Sequence, residues 1–212
     1  MTADRPTPSP AFFDVVLNQR ACRQFDWRPV ADDVLERCLE AATHAPSAEN
    51  RQPWVFVVVR DPATRQRITE LTRGAWRDGA RSVSVTRLTP ALLSDVDQGV
   101  ETGMGSAPVI VVVGGDRSIG HDAVLPSSVF PATQNLLLAA NAEGLGSALT
   151  TLATLRAPEL SALLELPETV RPMAVVPLGW PAHRLGAPRR LPLADRVHVD
   201  RFGQPWDAPA AP

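Results

Sequence analysis

The stretch Ala45–Val59, APSAENRQPWVFVVV, joins two unlike kinds of sequence. Its first nine residues hold two prolines, a serine, an asparagine and a glutamine. Its last six, WVFVVV, are β-branched or aromatic; the run is too short for a buried helix and predicts a central strand. Upstream, Val34, Leu35, Cys38, Leu39 and Ala42 recur at helical spacing behind Asp32 and Asp33, and Pro46 ends that helix. The polar loop between helix and strand has two readings. It is helix-stop and turn chemistry, or it offers hydroxyl, amide and backbone N–H groups to the edge of a planar heterocycle.

Outward from this stretch, residues 1–10 carry three prolines and read as a loose arm. PAFFDVVLNQ (10–19) reads as a short helix with proline at its start. DPATRQRITELTRG (61–74) is a polar helix, and PVIVVVGG (108–115) a second buried strand. Residues 75–106 have weak periodicity and predict a helical excursion that covers a site. A helix starting at Pro131, PATQNLLLAANAEGLG, is apolar on nearly all sides and capped by Gly144 or Gly146. Such a helix belongs in the centre of a protein or in an interface, and one subunit alone is not expected to bury it. APELSALLELP (157–167) is another helix and MAVVPLGWP (173–181) a third strand. The tail from His183 is rich in Pro and Arg, too polar to form a core, and expected to lie across something such as a partner subunit. Strands and helices alternate without a regular βαβ rhythm, and no G-x-G-x-x-G follows a strand, which disfavours a doubly wound dinucleotide site.

At 212 residues the chain suits one domain. A net charge of -2 without charge blocks argues against nucleic acid or an anionic membrane as partner. No apolar stretch reaches spanning length and the first residues lack a signal pattern, so the expected location is the cytoplasm. Cys22 and Cys38 have no CxxC spacing, and the four histidines have no metal spacing; no metal is expected. All 21 basic residues are arginine and there is no tyrosine, so neither a lysine Schiff base nor a tyrosine acid is available. Each fixed positive charge is a planar guanidinium suited to phosphate or carboxylate.

Four clusters could carry chemistry. Arg20 and Arg23, three apart, can meet one polyanion, or form a solvated charged face. The loop Pro46, Ser47, Asn50, Gln52 is the second, with His44 beside it. GLGSALTTL (144–152) lets backbone approach a flat ligand, or is a helix cap followed by a strand. Pro188–Pro192, PRRLP, is the fourth.

Taken in order, RACRQF, APSAENRQPWVFVVV, NLLLAANAEGLGSALTT, VVPLGWP and RRLPL resemble the nitroreductase superfamily of FMN-dependent oxidoreductases over about residues 12–195. The resemblance implies an α+β fold with a central, mostly antiparallel sheet flanked by helices. It implies an intertwined homodimer with non-covalent FMN at the subunit interface and NADH or NADPH as electron donor. Arg20, Ala21 and Arg23 stand where the family grips the FMN phosphate, ribityl chain and pyrimidine edge. Ala21 replaces the usual serine, and Gln19 stands where many members have another arginine. Pro46, Ser47 and Asn50 match residues that approach the isoalloxazine from the partner subunit. Thr150 and Thr151 fall where backbone N–H groups face the flavin, and Arg190 matches a late arginine on the phosphate. Arg23, as counter-charge to the reduced ring, and Asn50 are the expected catalytic residues.

These matches set out one domain over 1–212, with a lid at 75–106 and an extended tail at 194–212. The expected activity is NAD(P)H-driven reduction of a nitroaromatic, quinone-like or related small acceptor by a ping-pong flavin mechanism. The rival readings are a biosynthetic dehydrogenation or reductive dehalogenation, and non-enzymatic flavin binding or storage.

Overall fold

Two valine-rich runs meet in the middle of the sheet. Strand β1 (Trp54–Val59) pairs antiparallel with β2 (Val109–Asp116), and β2 pairs antiparallel with β4 (Val170–Gly179). The two-residue β3 (Gly146–Ser147) closes the far side, giving the order β1-β2-β4-β3. The computed structural model describes residues 10–206. The arm expected over residues 1–10, apart from Pro10, and the end of the tail, residues 207–212, lie outside them.

Both faces of β2 are buried, which is why its sequence is solidly apolar. Val109, Val111 and Val113 pack against helices α2 (Asp32–Thr43) and α7 (Leu125–Ala142). Ile110 and Val112 face the other way, toward Ile68 of α3 (Pro62–Ala75) and Leu160 of α8 (Ala157–Leu163). The result is three layers, helices on both sides of an antiparallel sheet. Each buried aliphatic side chain contributes about 1.5–3 kcal/mol by leaving water. The sheet and its flanking helices are those expected from the resemblance.

Three expectations are corrected. The WVFVVV run is an edge strand, not a central one: β1 pairs only with β2 among the described residues, and Trp54 to Val58 are half-buried. Lateral pairing distinguishes an edge from a centre, whereas an apolar run in the sequence reports only how far the two faces are covered. Next, α7 starts at Leu125, with Pro131 inside the helix. Pro126 takes the first turn, where a missing N–H costs nothing, and burial of Leu125 and Val129 holds the turn ahead of Pro131. Lastly, Leu136, Leu137 and Ala140 need no second subunit; α2 and the sheet bury them within one chain. Gly144, at φ +79°, ends this helix in the left-handed conformation that glycine adopts without strain.

The helical excursion is present. A π-turn (Trp76–Ala80), α4 (Arg81–Val85), α5 (Pro90–Gln98), a second π-turn (Gly99–Gly103) and α6 (Met104–Ser106) run from α3 back to β2. Charge ties it down. Arg81 binds Asp97 at 2.8 Å, Asp97 also accepts from the Trp76 indole at 2.8 Å, Arg77 meets Glu101 at 2.7 Å, and Arg156 meets Asp78. The short helix α1 (Pro10–Asn18) leaves Phe12, Phe13 and Leu17 exposed.

Candidate active site

The segment Arg20–Phe25 is laid down as an extended strip beside β3 and the end of β4. Cys22 N–H donates to Ser147 O at 2.9 Å, Ala21 bridges Ser147, and Phe25 bridges Pro181. The tail does not lie only outward: Ala182 N–H donates to Gln24 O at 3.0 Å, and Arg20 Nη1 donates to Gly186 O at 3.2 Å. Residues 183–190 therefore fold back over the strip of their own chain and close a cavity of about 720 Å³.

Guanidiniums dominate the lining. Arg20, Arg23, Arg184, Arg189 and Arg190 all reach this cavity, and Asp95 from α5 is its one carboxylate. Arg190 is exposed; among the described residues its Nη1 donates only to the neighbouring Arg189 carbonyl at 3.1 Å. Arg23 is half-buried, with Nη1 donating to Asp95 Oδ2 at 2.6 Å. Arg23 also lines a second, apolar slot of about 130 Å³, walled by Phe25, Val96, Met104, Leu149 and Pro177. One residue thus joins a cationic chamber to a greasy cleft. This donor set fits an FMN-like group, with an anionic end among the arginines and a flat ring in the slot.

The predicted site residues divide. Arg20, Ala21, Arg23 and Arg190 line one cavity, and Thr150 shares the adjoining slot with Arg23. The chemistry assigned to Thr150 needs correction. Its N–H is spent on Val175 O at 3.0 Å, because the residue forms a bridge to β4. What remains is its hydroxyl, whose oxygen accepts from Leu152 N–H at 3.2 Å. Thr151 is exposed outside both linings.

Pro46, Ser47 and Asn50 lie elsewhere in the chain, beside a separate groove lined by Glu49, Arg51, Ile119 and Ser128. Their loop is built with care. Ala48 N–H donates to the buried Ser128 hydroxyl at 3.2 Å, and Gln52 N–H to Ser47 Oγ at 3.0 Å. Glu49, Asn50 and Gln52 take φ of 55°, 54° and 53°, left-handed values that L residues adopt at a cost of about 1–2 kcal/mol each. The bonds from Ser128 and Ser47 hold this strained backbone in place. His44 is a helix-end residue, its Nδ1 at 2.9 Å from Glu40 O, and lines none of these cavities. Cys22 and Cys38 are free and buried, and burial raises both thiols above their ordinary range, Cys38 to about 11. Among the described residues no cluster of potential metal ligands occurs.

Asp95 and Arg184 escaped the sequence reading. Asp95 lies in the stretch of weak periodicity, and Arg184 is a lone arginine in the tail. Only the folding back of both segments onto Arg20–Phe25 reveals them.

The helix-flanked antiparallel sheet is a fold shared with solved structures. The solved structure of oxidized iodotyrosine deiodinase bound to FMN and 3-iodo-L-tyrosine superposes with a TM-score of 0.70 at 24% identity, covering 90% of this chain and 100% of that one. The Nitroreductase family profile matches residues 16–180, and the chain belongs to that family of oxidoreductase enzymes. It is 31% identical over 191 residues to an NADH dehydrogenase of Thermus thermophilus, covering 84% of this chain and 90% of the relative. It is 30% identical over 195 residues to an FMN reductase [NAD(P)H] of Bacillus subtilis, covering 88% and 72%.

Proposed function

We propose that the protein is a homodimeric, FMN-dependent oxidoreductase that takes electrons from NADH or NADPH. It passes them to a nitroaromatic, quinone-like or related small acceptor in alternating half-reactions. The observation that carries this reading is the junction at Arg23 between the guanidinium chamber and the apolar slot. The names of the Bacillus and Thermus relatives support the cofactor and the donor.

FMN, when bound, supplies the hydride and electron chemistry. Arg20 and Arg190 hold its phosphate, with Arg184 and Arg189 adding to the field around it. Arg23 offers its remaining N–H groups to the ring edge, where a preorganised cation stabilises charge that builds up on reduction. The slot's apolar walls keep water from the reacting face. Ala21 contributes backbone in place of the hydroxyl a serine would bring.

The loop with Pro46, Ser47 and Asn50 serves the chamber of a second copy, which accounts for its distance from Arg23 within one chain. Exposed apolar groups favour that dimer: Phe12, Phe13 and Leu17 on α1, Leu191, Leu193 and Phe202 on the tail, and the outer edge of β1. We further read residues 1–212 as one domain with a lid at 75–106 and a tail at 194–212, working in the cytoplasm. No helix among the described residues is long and apolar enough to cross a membrane. Likeness to the deiodinase fold favours a second reading, reductive dehalogenation at the same site.

The test starts with purified protein and added FMN. Yellow protein whose flavin band bleaches anaerobically with NADH or NADPH supports the reading; protein that takes up no FMN defeats it. A panel of nitroaromatics, quinones and halophenols then separates the two acceptors.

A further inference from the structure

We propose that one stripe of the excursion, Asp95, Gly99 and Gly103, is a clamp that positions Arg23; its effect on a flavin rests on the reading above. The three residues recur at four-residue steps and all press on the same residue. Asp95 takes the head, with Oδ2 at 2.6 Å from Arg23 Nη1. Gly99 takes the stem: a Cβ there would come within 2.8 Å of both Cβ and Cδ of Arg23. Gly103 takes the backbone, since a Cβ there would lie 1.6 Å from the Arg23 carbonyl oxygen. Only residues without side chains at positions 99 and 103 let the excursion sit this close. Among the described residues nothing comparable holds Arg190, whose side-chain bond is to its own neighbour.

The clamp has a physical purpose. Arg23 shares a chamber with four other guanidiniums, and like charges push its head away from them. A guanidinium has five N–H donors in a rigid fork, so fixing Nη1 fixes the direction of the others. With Nη1 on Asp95, the Nε and Nη2 donors are left for a planar acceptor at the mouth of the slot. Asp95 is thus a positioning residue: it acts on the ring through Arg23. The excursion, which looks like a lid over the chamber, sets the electronics of the site as well as its access.

Two substitutions separate position from charge. Asp95→Asn and Asp95→Ala both remove the carboxylate's charge, but only the alanine removes the acceptor for Nη1. In apo protein, the ¹⁵N resonance of Arg23 Nε should show hindered rotation in wild type and Asp95→Asn, and free rotation in Asp95→Ala. Free rotation in wild type overturns the clamp. In FMN-loaded protein the midpoint potential of Asp95→Ala should fall below that of Asp95→Asn. The expected loss is about tenfold in preference for reduced over oxidised FMN, or about 30 mV for a two-electron couple. Gly99→Ala, which displaces the stem and keeps Asp95, should shift the potential in the same direction. In an Arg23→Gln background the difference between the Asn and Ala variants should vanish. Equal potentials for the two Asp95 variants, or a difference that persists without Arg23, overturn the proposal. If wild type binds no FMN while its Arg23 is hindered, the flavin reading fails and the clamp stands.

Discussion

Two arginines of the chamber are held so differently that they should fail differently. Arg190 is exposed and, among the described residues, bonded only to its neighbour, so removing it leaves no buried group unpaired there. Arg190→Ala should cost a charge-assisted bond of about 1.5–3 kcal/mol, a loss of roughly 10- to 150-fold in FMN affinity. Stability should stay within about 0.5 kcal/mol, as for other surface changes. Flavin titration beside thermal denaturation checks both; an unchanged FMN affinity removes Arg190 from the site. At this scale the sequence showed half of the chamber. Arg20, Arg23 and Arg190 stand in recognisable blocks, whereas Asp95 has no neighbours that mark it. The Thr150 N–H was misassigned because sequence shows a donor but not its acceptor, here Val175 O.

Helices and strands were legible where periodicity or punctuation is strong. Asp61 caps α3 as the DP dipeptide suggests, accepting from Thr64 N–H at 2.7 Å. The start of α7 was missed because two prolines five residues apart could each open a helix, and tertiary burial chose the first. The α2–α7 pair also carries a testable charge cluster. Arg37 bridges Asp33 at 3.0 Å and Glu143 at 2.8 Å, tying the middle of α2 to the end of α7. The Arg37 guanidinium holds the Glu143 carboxyl below its ordinary value of 4.5. A carboxylate with a depressed folded value stabilises the protein fully above its unfolded value, and that share is lost as pH falls through the folded one. Glu143→Gln should therefore melt below wild type at pH 6–7, the gap closing as pH falls below 4.5. A gap that is constant across this range means the pair contributes nothing through ionisation.

For the whole molecule, what the fold leaves uncovered matters most. Phe202 is 93% exposed, α1 shows a row of apolar side chains, and β1 has an unpaired outer edge among the described residues. Bare edges and apolar patches of this kind are normally covered. In light scattering the protein should run as two chains, and Phe202→Ser with Phe12→Ser should shift it toward one chain while circular dichroism stays native. A wild type that stays monomeric at high concentration contradicts the dimer, and with it the role given to Asn50. Of the sequence's grounds for a second copy, the apolar helix is lost, since it is buried within one chain; the long tail and the family resemblance remain.

The chamber's chemistry has one more consequence. Its fixed positive charges are all guanidiniums, so what it offers an anion is charge and planar forks of N–H donors. What they yield to is ionic strength. At physiological salt the screening length is about 8 Å, and at 1 M it shrinks to about 3 Å. An anion held by exposed arginines such as Arg190 should thus be released by salt, as from an anion exchanger.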